Sequence, residues 1–185
     1  MKLEINPSQR PSHETSHDRL SVLRDAHRTL IALADGVDSR EAAQTAAART
    51  VAELARCFRS GALPEDPRDW VMLLEGIDHA VLGDPDAGET SALVILVQQG
   101  VVMGASVGDS LAYVVRSSGE PQLLSGGVRK ERRIGTGLAT PVGFGPVQLD
   151  GKLITRRAAR VDARELRPMV ASRGLQGREP LGQHG

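Results

Sequence analysis

Two short apolar runs open the chain's pattern, Leu20-Ser21-Val22-Leu23 and Leu30-Ile31-Ala32-Leu33-Ala34. The polar stretch Asp25-Ala26-His27-Arg28 between them has the composition of a turn, so the pair reads as a β-hairpin. The second run is apolar almost throughout, which predicts a strand covered on both faces. It ends at Asp35-Gly36. From residue 39 to 58 the period changes. Ala42, Ala43, Ala46, Val51, Leu54, Ala55 and Phe58 recur at helical spacing, with Ser39 as the expected N-cap. Gly61 and Pro64 stop this helix. Residues 67–82 predict a second one, with Trp70, Leu73, Leu74, Ile77 and Val81 on one stripe. The turn formers of Gly83-Asp84-Pro85-Asp86-Ala87-Gly88 break it. Three strands are expected next, over 90–98, 101–107 and 111–116. Gln99-Gly100 makes the first link, a hairpin turn, and Gly108-Asp109-Ser110 the second. Residues 125–146 read as loop, and 147–154 as a further strand. No internal repeat is visible.

The ends differ from this middle. Residues 1–17 are polar, contain Pro7, Pro11, His13 and His17, and show no period, so they read as a loose arm. From Thr155 the composition turns abruptly arginine-rich, from Arg156 to Arg178. Residues 159–172 have the pattern of a short amphipathic helix that Pro168 argues against, and the stretch from Gly174 onward has a disordered composition. The expected organisation is therefore an arm over 1–17, a folded domain over 18–154, and an arginine-rich tail over 155–185.

Composition narrows the function classes. A chain of 185 residues suits one domain with a real core. Aromatic residues are only 2%, so Ala, Val and Leu must fill that core. Lys plus Arg total 23 and Asp plus Glu total 23, a net charge of zero that gives no electrostatic case for nucleic acid or an anionic membrane. With so few aromatics, base stacking by way of the arginine-rich tail is a weak reading too. One cysteine, Cys57, excludes an internal disulfide framework and is read as a small core residue. No apolar run approaches a bilayer span, and no signal-like start is present, so a cytoplasmic location is expected.

Three acidic residues stand at strand ends or tight turns: Asp18 before the first strand, Asp35 after a buried one, and Asp109 between two strands. Carboxylates so placed project from a rigid sheet towards a common mouth, and hard cations such as Mg²⁺ or Mn²⁺ prefer oxygen ligands. Gly36 lets the backbone come close, so its carbonyl is a further candidate ligand. Taken singly, Asp-Gly after a strand and Gly-Asp-Ser are ordinary turn chemistry. His13 and His17, in a polar arm, read singly as solvent-exposed.

Order and spacing carry more than the parts. Residues 30–37, Leu-Ile-Ala-Leu-Ala-Asp-Gly-Val, lead into an Ala-rich helix. Residues 88–97 read Gly-Glu-Thr-Ser-Ala-Leu-Val-Ile-Leu-Val, and residues 105–114 read Ala-Ser-Val-Gly-Asp-Ser-Leu-Ala-Tyr-Val. Over roughly residues 15–154 this series resembles the type 2C-like metal-dependent serine/threonine protein phosphatases. The resemblance implies an α+β fold, an α-β-β-α sandwich of two antiparallel sheets flanked by helices, incomplete here at its C-terminus. It implies metal-assisted hydrolysis of phosphoserine or phosphothreonine with two Mn²⁺ or Mg²⁺ ions and no side-chain nucleophile. Asp35 would bridge the metals, with the Gly36 carbonyl on one of them. Asp18 would support the same shell, with His17 as an additional candidate, and Asp109 would assist a weaker site. Partners would be a phosphoprotein substrate or a regulatory protein.

Departures from the pattern matter as much. The family's opening Arg, two variable residues, Asn, Glu, Asp is matched by His13-Glu14-Thr15-Ser16-His17-Asp18. His13 takes the phosphate-binding Arg slot, with a weaker, pH-dependent charge, and His17 takes the Glu slot. An imidazole suits Mn²⁺ better than Mg²⁺. Asp38-Ser39 replaces a Gly-Gly pair. After Ile154 the family's Ser-Asp-Gly is replaced by Thr155-Arg156-Arg157, and its later Asp-Asn has no counterpart. A replaced chain end (truncation or altered frame) and a diverged, non-catalytic relative both explain this. The remaining carboxylates are expected to hold one cation at most, weakly.

Overall fold

The computed structural model describes residues 17–37, 41–116, 119–126 and 132–157, with backbone alone at 156 and 157. Expectations for His13, the Ser39 cap and the arginine-rich segment beyond 157 lie outside the described residues.

The hairpin forms as its pattern predicts, from β1 (Asp18–Arg24) and β2 (Arg28–Gly36), paired in antiparallel register. Asp25 closes the turn, its carboxylate accepting the N–H groups of His27 at 2.8 Å and Arg28 at 2.7 Å. The His27 N–H foremost, then the Arg28 guanidinium, whose Nε donates to Oδ2 at 2.8 Å, hold the carboxyl pKa down to about 2.

Helix α1 (Glu41–Ser60) and helix α2 (Pro67–Leu82) follow. Gly61, with φ +76°, ends α1. Asp66 caps α2 by accepting the Arg68 N–H at 2.7 Å, and Pro67 occupies the first turn, where its missing N–H costs nothing. Trp70, Leu74, Ile77 and Val81 are buried, as their stripe predicts.

The next three strands are β3 (Thr90–Gln98), β4 (Val101–Val107) and β5 (Ser110–Arg116). A short strand not foreseen in the sequence, β6 (Pro121–Leu123), pairs with β5. The expected strand over 147–154 is corrected. The chain turns at Leu149-Asp150 and serves two sheets, as β7 (Val142–Gln148) beside β4 and β8 (Gly151–Arg157) beside β5. Part of the expected loop over 125–146 is thus strand. β7 hid in the sequence because it is a partly exposed edge carrying Gly143, Gly145 and Pro146, residues that weaken a strand pattern. β8 runs through the composition change at Thr155 to Arg157.

The result is α+β, with two antiparallel sheets ordered β1-β2-β3-β4-β7 and β6-β5-β8. Both helices pack on one face of the larger sheet, where Leu54, Phe58, Trp70 and Leu74 meet Leu30, Ala32, Ala92, Val94 and Leu96. The opposite face carries Ile31, Leu93, Ile95 and Val97, which meet Ala112 and Val114 of the smaller sheet. Three layers of the expected four are therefore among the described residues. No described helix is long and apolar enough to cross a membrane.

Residues 132–140 have no regular structure, yet they are tied down. Asp78, 1% exposed on the buried stripe of α2, accepts the N–H groups of Gly135 at 2.7 Å and Gly137 at 3.1 Å on Oδ1, and of Ala139 at 3.0 Å on Oδ2. Ile134 exchanges backbone hydrogen bonds with Thr90, both at 3.0 Å. Replacing Asp78 with Ala strands three donors, and urea denaturation is expected to show a loss of about 2–4 kcal/mol. Asp78→Asn keeps one oxygen acceptor and should lose less. Equal stability of wild type and D78A would show that this carboxylate does not hold the loop.

Candidate functional site

Side chains alternate faces along a strand, so the face of each site residue follows from the core. Asp35 shares the face of Ile31 and Leu33 on β2, which looks towards the smaller sheet. Its register partners are Asp18 on β1 and Ser91 on β3. Directly opposed residues carry their side chains on the same face, with Cβ atoms about 4.5–5.5 Å apart. Asp18, Asp35 and Ser91 therefore form a row across three strands at one end of the space between the sheets.

The smaller sheet closes on that row. Ser91 Oγ lies 3.0 Å from Ser110 Oγ, joining β3 to the first residue of β5. Ser110 follows Asp109 in the β4–β5 turn, and Asp109 is only 4% exposed. Gly108 opens the turn at φ +89°, and a Cβ there would fall 2.6 Å from Ser91 Cβ. Only glycine allows this turn to sit so close to β3.

Burial is uneven across the row. Asp35 is 6% exposed, whereas Asp18 is half-buried at the edge strand. His17 directly precedes Asp18, and its Nδ1 is buried with no hydrogen-bond partner among the described residues. Gly36 ends β2 under helix α1, where a Cβ would stand 2.8 Å from the Ala43 carbonyl oxygen. The backbone after Asp35 is thus pressed against the start of α1, which fixes where the Asp35 end of the strand lies.

The structure brings Asp18 and Asp35 together, places His17 beside them in the chain, and puts Asp109 one serine pair away. His13 lies outside the described residues. Among the described residues, no three His, Cys, Asp or Glu side chains converge as a metal-holding group. Asp18 and Asp35 are the pair that could share a hard cation, with His17 and the Gly36 carbonyl adjacent in sequence. The Ser91–Ser110 bridge had no marker in the sequence beyond its place in two strand motifs. Asp78 did have one: an acidic residue on an apolar helical stripe must find partners.

Comparison with known proteins bears on the fold. No family model matches this chain, and no curated protein matches it in sequence. Solved structures do match. A point variant of a bacterial serine phosphatase aligns with TM-score 0.57 and 19% identity, covering 80% of this chain and 67% of that one. The serine/threonine phosphatase Stp1 from Staphylococcus aureus aligns with TM-score 0.52 and 18% identity over 82% of this chain and 69% of its own. The S. agalactiae serine/threonine phosphatase gives 0.52 and 17%, over 80% and 70%. The chain thus spans about two thirds of the length of these proteins. At such identities the likeness concerns architecture, and the architecture resembles that of the type 2C-like bacterial serine/threonine phosphatases.

Proposed function

We propose that this chain is a phosphoprotein phosphatase-like domain that holds one Mn²⁺ or Mg²⁺ weakly and hydrolyses phosphoserine or phosphothreonine slowly. The observation that carries the reading is the register Asp18↔Asp35 at the end of the inter-sheet space. Carboxylates directly opposed across strands stand close together, near enough for one hard divalent cation with ligands at about 2.0–2.6 Å to be shared between them. The donor set fits one such ion. It does not fit two, because two adjacent divalent ions repel strongly and need several carboxylates around them. Here an imidazole stands where the family pattern has Glu, and Thr155-Arg156-Arg157 stands where it has Ser-Asp-Gly.

Within this reading each residue has a task. Asp35, buried, would hold the cation, and Asp18 would complete the pair from the edge strand. The Gly36 carbonyl and His17 are the neighbouring donors. The Ser91–Ser110 bridge holds the Gly108-Asp109 turn over the same end. A bound cation supplies Lewis-acid polarisation of a phosphoryl oxygen and a more acidic water. No Ser or Cys nucleophile is required.

A second reading is favoured by the sequence Thr155-Arg156-Arg157, which stands where the family pattern has a Ser-Asp-Gly ligand. In it, the domain is a phosphatase-like binding or regulatory module without turnover. Hydrolysis of p-nitrophenyl phosphate against Mn²⁺ concentration separates the two. Slow, saturable, Mn²⁺-dependent turnover well below about 1 s⁻¹ is expected, and none at any Mn²⁺ concentration favours the module. Turnover at or above that rate would mean that the ligands are misassigned. Restoring a carboxylate by His17→Glu should tighten Mn²⁺ binding about tenfold, given the worth of one added charge a few ångströms away. Unchanged calorimetric affinity in H17E would remove His17 from the site.

A further inference from the structure

Arg133 stands where the β4–β5 turn meets β3. A Cβ on Gly108 would fall 3.7 Å from Arg133 Cγ, so the arginine's aliphatic stem lies over the turn at ordinary packing distance. The same turn touches Ser91, the register partner of Asp35. Arg133 is therefore a neighbour of the acidic row, although at least 35 residues separate it in sequence from every strand of that row.

Its place is set by backbone. Ile134, the next residue, exchanges both hydrogen bonds with Thr90, and Asp78 accepts three N–H groups from the following stretch. The Thr136 hydroxyl also donates to the Arg133 carbonyl at 2.7 Å. A loop tied at four points carries its side chain to one location, which lowers the cost of ordering on binding.

One donor of the head group stands open. Among the described residues, Arg133 Nε is buried without a hydrogen-bond partner, and Arg133 forms no ion pair. Buried donors are almost always paired, so one left open marks a place for an acceptor. A guanidinium presents a planar fork that matches two phosphate oxygens, and it keeps its charge at any physiological pH. An imidazole cannot do either as well, and His13 is the residue in the arginine slot of the arm.

We propose that Arg133 is the phosphate-contacting residue of this domain, taking the phosphate monoester of a phosphoserine or phosphothreonine beside the acidic row. The proposal rests on the phosphatase-like reading of that end of the sandwich, and its test is chosen to fail separately from it.

The test uses the full chain with Mg²⁺ present and inorganic phosphate as the probe, followed by calorimetry or ³¹P line broadening. Arg133→Met keeps the packed stem and removes the fork. It should weaken phosphate binding about tenfold, as loss of a charge-assisted pair does, with Mg²⁺ binding unchanged. Arg133→Lys keeps stem and charge and should be a few-fold weaker than wild type. It serves as the measurement if R133M does not fold. Equal phosphate affinity in wild type and either folded variant would overturn the contact, as would a wild-type chain that binds Mg²⁺ but no phosphate. A phosphate affinity that falls in R133M while wild type binds no divalent cation supports the contact and overturns the cation assignment alone.

Discussion

Strands β2 and β3 are covered on both faces, by helices on one side and by the smaller sheet on the other. Eight of the nine residues of β3 are buried. A strand so placed must be apolar on both faces, because a polar side chain there would lose water without gaining a partner. Polar groups are then confined to the strand ends, and in an antiparallel sheet the ends of neighbouring strands coincide. Asp35 at the end of β2 lies across from Ser91 near the start of β3 and from Asp18 at the start of β1. The row of polar residues at one end of the sandwich is a consequence of covering the middle.

The rest of that end is built by close approach. Gly36 admits the start of α1, Gly108 admits β3, and Ser91 meets Ser110 across the sheets. From the buried stripe of α2, Asp78 gathers an irregular loop by its backbone and so sets Arg133 near the same turn. One buried carboxylate thereby orders a segment with no periodicity of its own. It does so from 57 residues away in sequence.

Much of this was legible in the sequence where the physics is local. The apolar run at Leu30 to Ala34 and the stripe from Trp70 to Val81 report burial directly, and Pro67 and Gly61 mark helix ends. The turn at Gly108 could be read from its residues. The split of residues 147–154 between two sheets could not, because edge strands such as β7 alternate weakly and carry Gly and Pro. Nor could the ordering of residues 132–140, which depends on a partner in α2. For the site, Asp18, Asp35 and Asp109 were named from strand ends, and the register brings the first two face to face. Arg133 was hidden in a charged run, Arg129-Lys130-Glu131-Arg132-Arg133, where nothing local distinguishes it from its neighbours.

The central claim is that the opposed Asp18 and Asp35 form a single cation site. Counting bound Mn²⁺ per chain by paramagnetic resonance, in wild type and in Asp35→Ala, tests it most directly. The account predicts one weakly held ion in wild type and none in D35A. Two ions held per chain, or one ion retained undiminished in D35A, would contradict it.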